Sequence, residues 1–547
     1  MKRLLPLLPW LLAPLVQLPF AYGAVVPPEG WRVLVECVAF WGLGLIQLRF
    51  APEGVARSPL VPAALLLLGA AWLHLPAGLV MTFAAVVGLV LLGVVALRVL
   101  EPVSSWWAGL LVLLPAVLGQ RLVVLSGSHV GDPVGELRKE LVGAVSPRIP
   151  ATSQGPLILL VTVDTLRWDK AQDMESVQRI AAGGGYWPRA MATSSWTLPS
   201  LASLMTGVSP DEHGAGASGL GYRSVNANIP LLAEELRAQG YATAAFGANP
   251  FASSSTGLER GFELFFHVSE RAAHRLTFAG RPVHADNYWA GEGLVDRAVD
   301  YLVDAPEQGA FVWVHLLDVH LPHRHASKQS SVLGWRRSDY LNAGIVSPQQ
   351  RQDTRVGYAS EVAYIDHQVL RLLDALAERG LEEDAVILFT ADHGEELWDH
   401  GDFEHGHSHA GQVIDVPLAL RHPGFVGTGE GVASLVDVAP TLLTAAGLSP
   451  VGIDLAQGVP AERIAVAVGN KYVAHAASAR QGTRRVVQPA QGQAWWVDLA
   501  VDPQGLDRQA PLASDPLLRA LGQVRLDQSG KAAKVELEAL RALGYVE

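Results

Sequence analysis

The chain has 547 residues, half of them hydrophobic, with a formal net charge of −12 and a single cysteine, Cys37. At roughly 100 to 200 residues per domain the length calls for several units, and the acidic balance argues against the basic face that a nucleic-acid partner needs. One cysteine excludes an intrachain disulfide framework, and because Cys37 lies in an apolar run it offers no soluble thiol for catalysis or metal binding.

Charged residues are sparse up to about residue 127, and apolar runs follow one another at 4–24, 33–48, 60–77, 79–97 and 106–125. A spanning helix takes about 20 apolar residues, so residues 1–127 read as a transmembrane region of four to five helices. The start at Met1, Lys2 and Arg3 is also compatible with a secretory signal, but no clean small-residue cleavage site follows. With five spans, Lys2, Arg3, Arg49, Arg57 and Arg98 share one side, which places the N-terminus inside and everything after the fifth run outside. The second run is short and contains Glu36, and a four-span count reverses that topology. Residues 128–155, rich in Gly, Pro and Ser, read as a linker.

Residues 156–463 alternate strand and helix patterns. Apolar runs at 157–164, 242–246, 310–317, 385–390 and 417–420 suit strands buried on both faces, and helical periodicity appears at 229–239, 293–303 and 356–379. The alternation predicts an α/β sandwich around a mostly parallel sheet, whose chemistry collects at the carboxyl ends of the strands. Asp164, Asp318 and Asp392 all fall at predicted strand ends. Residues 464–547 turn to short alternating runs with Gly and Gln turns, which suggests a small antiparallel subdomain, closed by a helix at 535–542.

Nine of the 18 histidines fall in two windows, 315–325 and 393–409. Imidazole crowded beside carboxylate suits a divalent metal, or else a histidine-rich solvated loop; spacing assigns no role to His323, His325, His407 or His409. Thr197 stands just before Pro199 and a helix-like run, so a nucleophile there would face backbone donors and the positive end of a helix dipole; an ordinary helix cap reads equally from the pattern.

Four segments carry a more specific resemblance. Val163-Asp164-Thr165-Leu166-Arg167, the run Trp196-Thr197-Leu198-Pro199-Ser200-Leu201 continuing to Gly207, Asp318-Val319-His320-Leu321-Pro322, and Thr390-Ala391-Asp392-His393-Gly394-Glu395-Glu396-Leu397 resemble the successive motifs of the sulfatase family, in that family's order. The similarity continues through His405-Gly406, Val416-Pro417 and 436–443 into the C-terminal segments 496–503 and 540–546, about 390 residues altogether. The resemblance implies an alkaline phosphatase/sulfatase-like α/β sandwich with a small C-terminal antiparallel subdomain, here preceded by an all-α transmembrane region. It implies a metal site of Asp164, Thr197, Asp392 and His393, with Thr197 as nucleophile. It also implies that His320 and His405 touch the transferred group or a second metal. Arg167 either steadies the anion or forms a salt bridge that pins the strand end, and Asp366 reads as structural.

Two positions depart from the family pattern. Sulfatases use a formylglycine made from Cys or Ser, with an Arg at fixed spacing; here those positions are Thr197 and Leu201. Oxidised threonine would give a ketone and not an aldehyde, so the pattern favours the phosphoryl-transferring branches of the superfamily, although two of those use Glu where this chain has Asp164. The leading expectation is therefore a membrane-anchored enzyme that cleaves or transfers phosphate or sulfate esters, lipid- or glycan-linked, on a divalent ion. Histidine at 393 favours Zn²⁺ or Mn²⁺, with Ca²⁺ also compatible. The alternatives are a sulfuric ester hydrolase and a catalytically silent membrane protein that binds an anionic glycan.

Overall fold

The computed structural model describes residues 149–533, apart from 219–220, 268–276, 279–280, 283–290, 326–329, 333–339, 341–344, 472–475, 490–491 and 524–531. The apolar runs of residues 1–127, most of the linker and the helix expected at 535–542 lie outside the described residues. Among the described residues no helix is long and apolar enough to cross a membrane.

The core is one seven-stranded sheet built from β1 (Ile158–Val163), β2 (Gly184–Met191), β3 (Ala242–Gly247), β4 (Leu264–His267), β5 (Ala310–Leu316), β6 (Val386–Ala391) and β7 (Asp415–Arg421), in the spatial order β2-β7-β6-β1-β5-β3-β4. β1, β3, β5 and β6 are buried at every position, which is why their sequences are mostly apolar and do not alternate. All neighbours pair in parallel except around β7, which runs antiparallel to both β6 and β2. The sheet is thus mixed, close to the mostly parallel one expected.

Register decides what meets at the sheet's edge. Val163 pairs with Ala391 on one side and with Leu316 on the other, so Asp164 and Asp392 emerge side by side at the carboxyl ends of β1 and β6. Thr162 pairs with His315, which brings that histidine to the same edge one residue before β5 ends. Gly247 also pairs with His315, so Asn249, two residues beyond β3, arrives there too.

Helices cover the sheet. α1 (Glu175–Ala181) is capped by Asp366, whose carboxylate accepts the Glu175 and Ser176 amides at 2.9 Å, the structural role expected of it. α2 (Thr197–Thr206) is buried over all but its last residue and ends at Gly207 with φ 73°, a left-handed cap suited to glycine. α3 (Leu232–Ala238), α4 (Gly291–Asp304), α5 (Pro348–Glu378) and α6 (Val438–Ala445) follow. The small antiparallel sheet expected after residue 464 is present as β8 (Ala465–Val468), β9 (Ala477–Gln481), β10 (Arg484–Gln488) and β11 (Trp495–Asp498), paired in sequence order.

Candidate active site

The strand ends deliver a buried cluster. Asp164, His315, Asp392 and His393 have no solvent exposure, and Thr197 has 1%. Thr197 is the first residue of α2, behind an extended Trp196, so its hydroxyl stands at the positive end of the helix. Thr197 Oγ1 lies 3.3 Å from His393 Nε2. The same nitrogen lies 3.5 Å from Asp392 Oδ2 and 3.7 Å from Asp164 Oδ1.

The tautomer of His393 follows from its other nitrogen. Nδ1 is 2.9 Å from the Gly394 carbonyl, which can only accept, so in the neutral ring Nδ1 carries the hydrogen and Nε2 presents its lone pair to the cluster. Glycine at 394 is required for a packing reason: a Cβ there would stand 2.1 Å from the Gln412 carbonyl oxygen. Asp392 Oδ1 accepts the His393 amide at 2.8 Å and the Thr165 amide at 3.3 Å. Thr165 holds a left-handed φ of 59°, uncommon for a β-branched residue and costing on the order of 1–3 kcal/mol. Its carbonyl accepts the Tyr358 hydroxyl at 2.7 Å, which helps fix the turn.

Two electrostatic facts follow. Burial would raise Asp164, but the imidazole of His315 and the charges of His320 and His393 outweigh it and hold the carboxyl at about 2. Asp392 is pushed well above the usual carboxylate range, by burial first and then by the charge of Asp164. Asp164 Oδ1, Asp392 Oδ2 and His315 Nε2 are buried and have no hydrogen-bond partner among the described residues. Buried carboxylate and imidazole atoms without partners are costly, and a divalent cation converts that arrangement into bonds. The donor set fits such an ion: ligand atoms of Asp164, His315 and Asp392 lie within 4.8 Å of one another.

Of the residues expected at the site, the structure brings together Asp164, Thr197, His320, Asp392, His393 and His405. The His405 ring centroid is 4.4 Å from that of His393 and 5.2 Å from that of His320. His405 Nδ1 meets Glu395 Oε1 at 3.0 Å, and His320 Nδ1 meets the Leu321 carbonyl at 2.6 Å. Burial lowers the pKa of both rings, for His405 reinforced by the charges of His393 and His320.

Arg167 takes the second of the two roles open to it. Its guanidinium donates to Asp169 at 2.9 and 3.0 Å, to Asp399 at 2.7 and 3.1 Å, and to the Glu395 carbonyl at 3.2 Å. With those donors committed, it pins the end of β1. Asp318, expected at a strand end, turns away to accept the Gly291 amide at 2.7 Å and starts α4.

Sequence reasoning passed over Asn249 and Lys471, and gave His315, counted among the clustered histidines, no role of its own. Asn249 Nδ2 donates to Asp164 Oδ2 in a short hydrogen bond. His315 sits inside an all-apolar strand, a signal that was available because imidazole is out of place there. Lys471 stands over Phe251, Trp196 and Tyr222, with Nζ 4.6, 5.6 and 6.0 Å from their ring centres, close enough for its charge to depress His393, His320 and His405. Nothing in its local sequence announces that role.

Comparison with known proteins agrees with this geometry. Residues 156–448 match the sequence model of the Sulfatase family. An arylsulfatase of Clostridium perfringens is 23% identical over 367 residues, covering 54% of this chain and 75% of that protein. A choline-sulfatase of Rhizobium meliloti is 29% identical over 270 residues, covering 47% of this chain and half the length of that protein. Among solved structures, the phosphonate monoester hydrolase of Agrobacterium radiobacter superposes with a TM-score of 0.50 at 19% identity, covering 67% of this chain and 93% of that one, a likeness of fold. The chain belongs to the Sulfatase family, a family of hydrolytic enzymes within the alkaline phosphatase superfamily.

Proposed function

We propose that the chain cleaves or transfers a phosphate or phosphonate ester by attack of the Thr197 hydroxyl, beside a divalent ion held by Asp164, Asp392 and His393 with Thr197 itself. The observation that carries this reading is the position of Thr197 Oγ1, at the first residue of α2 and 3.3 Å from the unprotonated Nε2 of His393, which also faces both buried carboxylates. Enzymes of this family depend on a divalent metal, which when bound here supplies the positive charge that favours an ionised threonine and an anionic ester. The imidazole donor at 393 favours Zn²⁺ or Mn²⁺ over Ca²⁺.

The remaining work falls to the chain. The Thr197 oxygen bonds to phosphorus as the bond to the leaving alcohol breaks, leaving a phospho-threonine for water or a second hydroxyl to resolve. His320 and His405, whose basicity burial lowers and whose rings form one run with that of His393, exchange protons with the nucleophile and the leaving group. Lys471 offers the ester positive charge that Arg167 does not. The apolar runs of residues 1–127 support a membrane anchor, the catalytic part on the outer side, and a lipid- or glycan-linked substrate.

A second reading keeps sulfate as the group transferred. It is favoured by the relatives named arylsulfatase and choline-sulfatase, and opposed by the threonine, which cannot furnish an aldehyde. The test is turnover of aryl phosphodiester, phosphonate monoester, phosphomonoester and sulfate esters by the full chain loaded with Zn²⁺, Mn²⁺ or Ca²⁺, against Thr197→Ala. Metal-dependent phosphoester cleavage lost in the variant is expected. Sulfate release lost in the variant would establish the second reading, and turnover that survives Thr197→Ala would remove both.

A further inference from the structure

The hairpin that pairs Glu396–Leu397 with Phe403–Glu404 carries a second set of donors, apart from the cluster at the strand ends. Glu396 is fully buried; its Oε2 meets His407 Nε2 at 3.0 Å and the Ser408 hydroxyl at 2.8 Å, and its Oε1 meets His400 Nδ1 at 2.8 Å. Donor atoms of Glu396, Asp402 and His407 lie within 4.8 Å of one another.

The far side of each ring is fixed by a carbonyl. His407 Nδ1 is 3.2 Å from the His405 carbonyl, and His400 Nε2 is 2.8 Å from the Gln504 carbonyl. A carbonyl only accepts, so those nitrogens carry hydrogen, and in the neutral rings the nitrogens facing Glu396 are lone pairs. Histidines that ligate metals are held in this way, the outer nitrogen donating to a carbonyl and the inner one turned to the ion. Between a neutral imidazole and a carboxylate either a proton or a cation must lie.

We propose that Glu396, Asp402 and His407 bind a divalent cation, with Ser408 and a His400 protonated on both nitrogens orienting Glu396. Two carboxylates match the charge of the ion, and one nitrogen with carboxylate oxygens suits Mn²⁺ or Zn²⁺ better than Ca²⁺. Asp402 is exposed, so the ion enters from solvent and completes its coordination with water. This site stands whether or not the reading of Thr197 does, because none of its ligands belongs to the nucleophile's cluster. Its consequence reaches that cluster through the chain. The hairpin carries His405, whose neighbour Gly406 bonds through its amide to the Ser195 carbonyl at 2.9 Å and through its carbonyl to the Lys471 amide at 2.8 Å. An ion at the hairpin therefore positions His405 and does not touch the substrate.

The test strips the full chain with chelator, dialyses it against Mn²⁺ or Zn²⁺ and counts ions per chain in wild type, Asp402→Asn, His407→Gln and Asp392→Asn. Asp402→Asn, at an exposed position, and His407→Gln should each hold one ion fewer than wild type, and Asp392→Asn should lose its ion independently. Co²⁺ loaded into Asp392→Asn should give visible absorption bands that disappear when Asp402→Asn is added, a readout independent of turnover. Turnover in Asp402→Asn should fall roughly tenfold, as for other residues that orient a site from outside it. Asp402→Asn and His407→Gln chains that retain the wild-type ion count would show that protons fill the cluster, and would overturn the proposal.

Discussion

Two buried carboxylate centres stand on the same edge of the central sheet, and they are finished differently. Asp415, the first residue of β7, accepts Arg189 at 2.5 and 3.0 Å and Arg480 at 3.3 Å, and closes on Arg485 as well. Burial would raise its pKa, but the three guanidiniums outweigh that and hold it below the ordinary carboxylate range. Asp392, at the end of β6, is equally buried yet is pushed upward, because there the effect of burial is reinforced by the charge of another carboxylate, Asp164. A centre saturated by its own chain serves the fold; one left with bare oxygens is built for something the chain does not supply.

That contrast can be broken by substitution. At the open centre Thr197→Ala and Asp392→Asn should lower turnover by on the order of a thousandfold or more, the loss typical of a removed nucleophile or ligand. Metal-free Asp392→Asn should nevertheless be about as stable as wild type, since the amide fills the same space and removes a like charge that faces Asp164. At the saturated centre Asp415→Asn should do the reverse to the fold. Leaving buried arginines unpaired is expected to remove about 3–5 kcal/mol, read as a lower denaturant midpoint. If Asp392→Asn destabilised the metal-free chain as much as Asp415→Asn, the two centres would not differ in kind.

Adding the metal sharpens the same comparison. Mn²⁺ or Zn²⁺ at a hundred times its dissociation constant should stabilise wild type by about 2.7 kcal/mol in a thermal shift, and Asp415-centred contacts should be indifferent to it. Asp392→Asn should lose that increment and keep only the stabilisation contributed by an ion at Glu396, Asp402 and His407. An equal shift in the variant would place the ion elsewhere.

The open centre was the more legible of the two. Asp164 and Asp392 each end an apolar run, and the parallel register that brings them together follows from strands buried on both faces. The sequence order of the four motifs pointed to the same pair. Asp415 was not seen, because its partners come from β2, β9 and β10, and no local pattern links them. β2 itself was missed for a physical reason. Its segment Gly184-Gly-Tyr-Trp-Pro-Arg-Ala-Met191 carries Gly and Pro against strand propensity, tolerated because it is an edge strand and because a Cβ at Gly184 would meet the Leu420 carbonyl oxygen at 2.1 Å. α5 begins eight residues before the periodicity did: its first two turns are polar, and the start is set by the Ser347–Gln350 capping box with Pro348 at the first helical position. Asn249 and His315 reach the site by register across three strands, which one sequence does not display.

The most gradual expected effect concerns an imidazole that, like Asp415, is finished by its own chain. His213 is fully buried; its Nδ1 accepts the Ala215 amide at 3.0 Å, and its Nε2 lies 3.1 Å from the Pro199 carbonyl and 3.0 Å from the Ser203 hydroxyl, both on α2. Burial drives its pKa down to about 3, so the folded chain keeps it neutral where the unfolded chain would protonate it. The unfolded state therefore binds the extra proton below about 6.5, and the stability this ring confers is complete above that pH and lost as pH falls toward 3. The expected slope is about 1.4 kcal/mol per pH unit within that window. His323 and His409, both brought to about 4 by burial, add to it with the same sign. His213→Gln should flatten the slope by one proton's worth in urea titrations between pH 4 and 6.5. Because the ring is bonded to the helix that carries Thr197, a wild-type slope in the variant would mean that protonation of His213 is not what loosens the attachment of α2 at low pH.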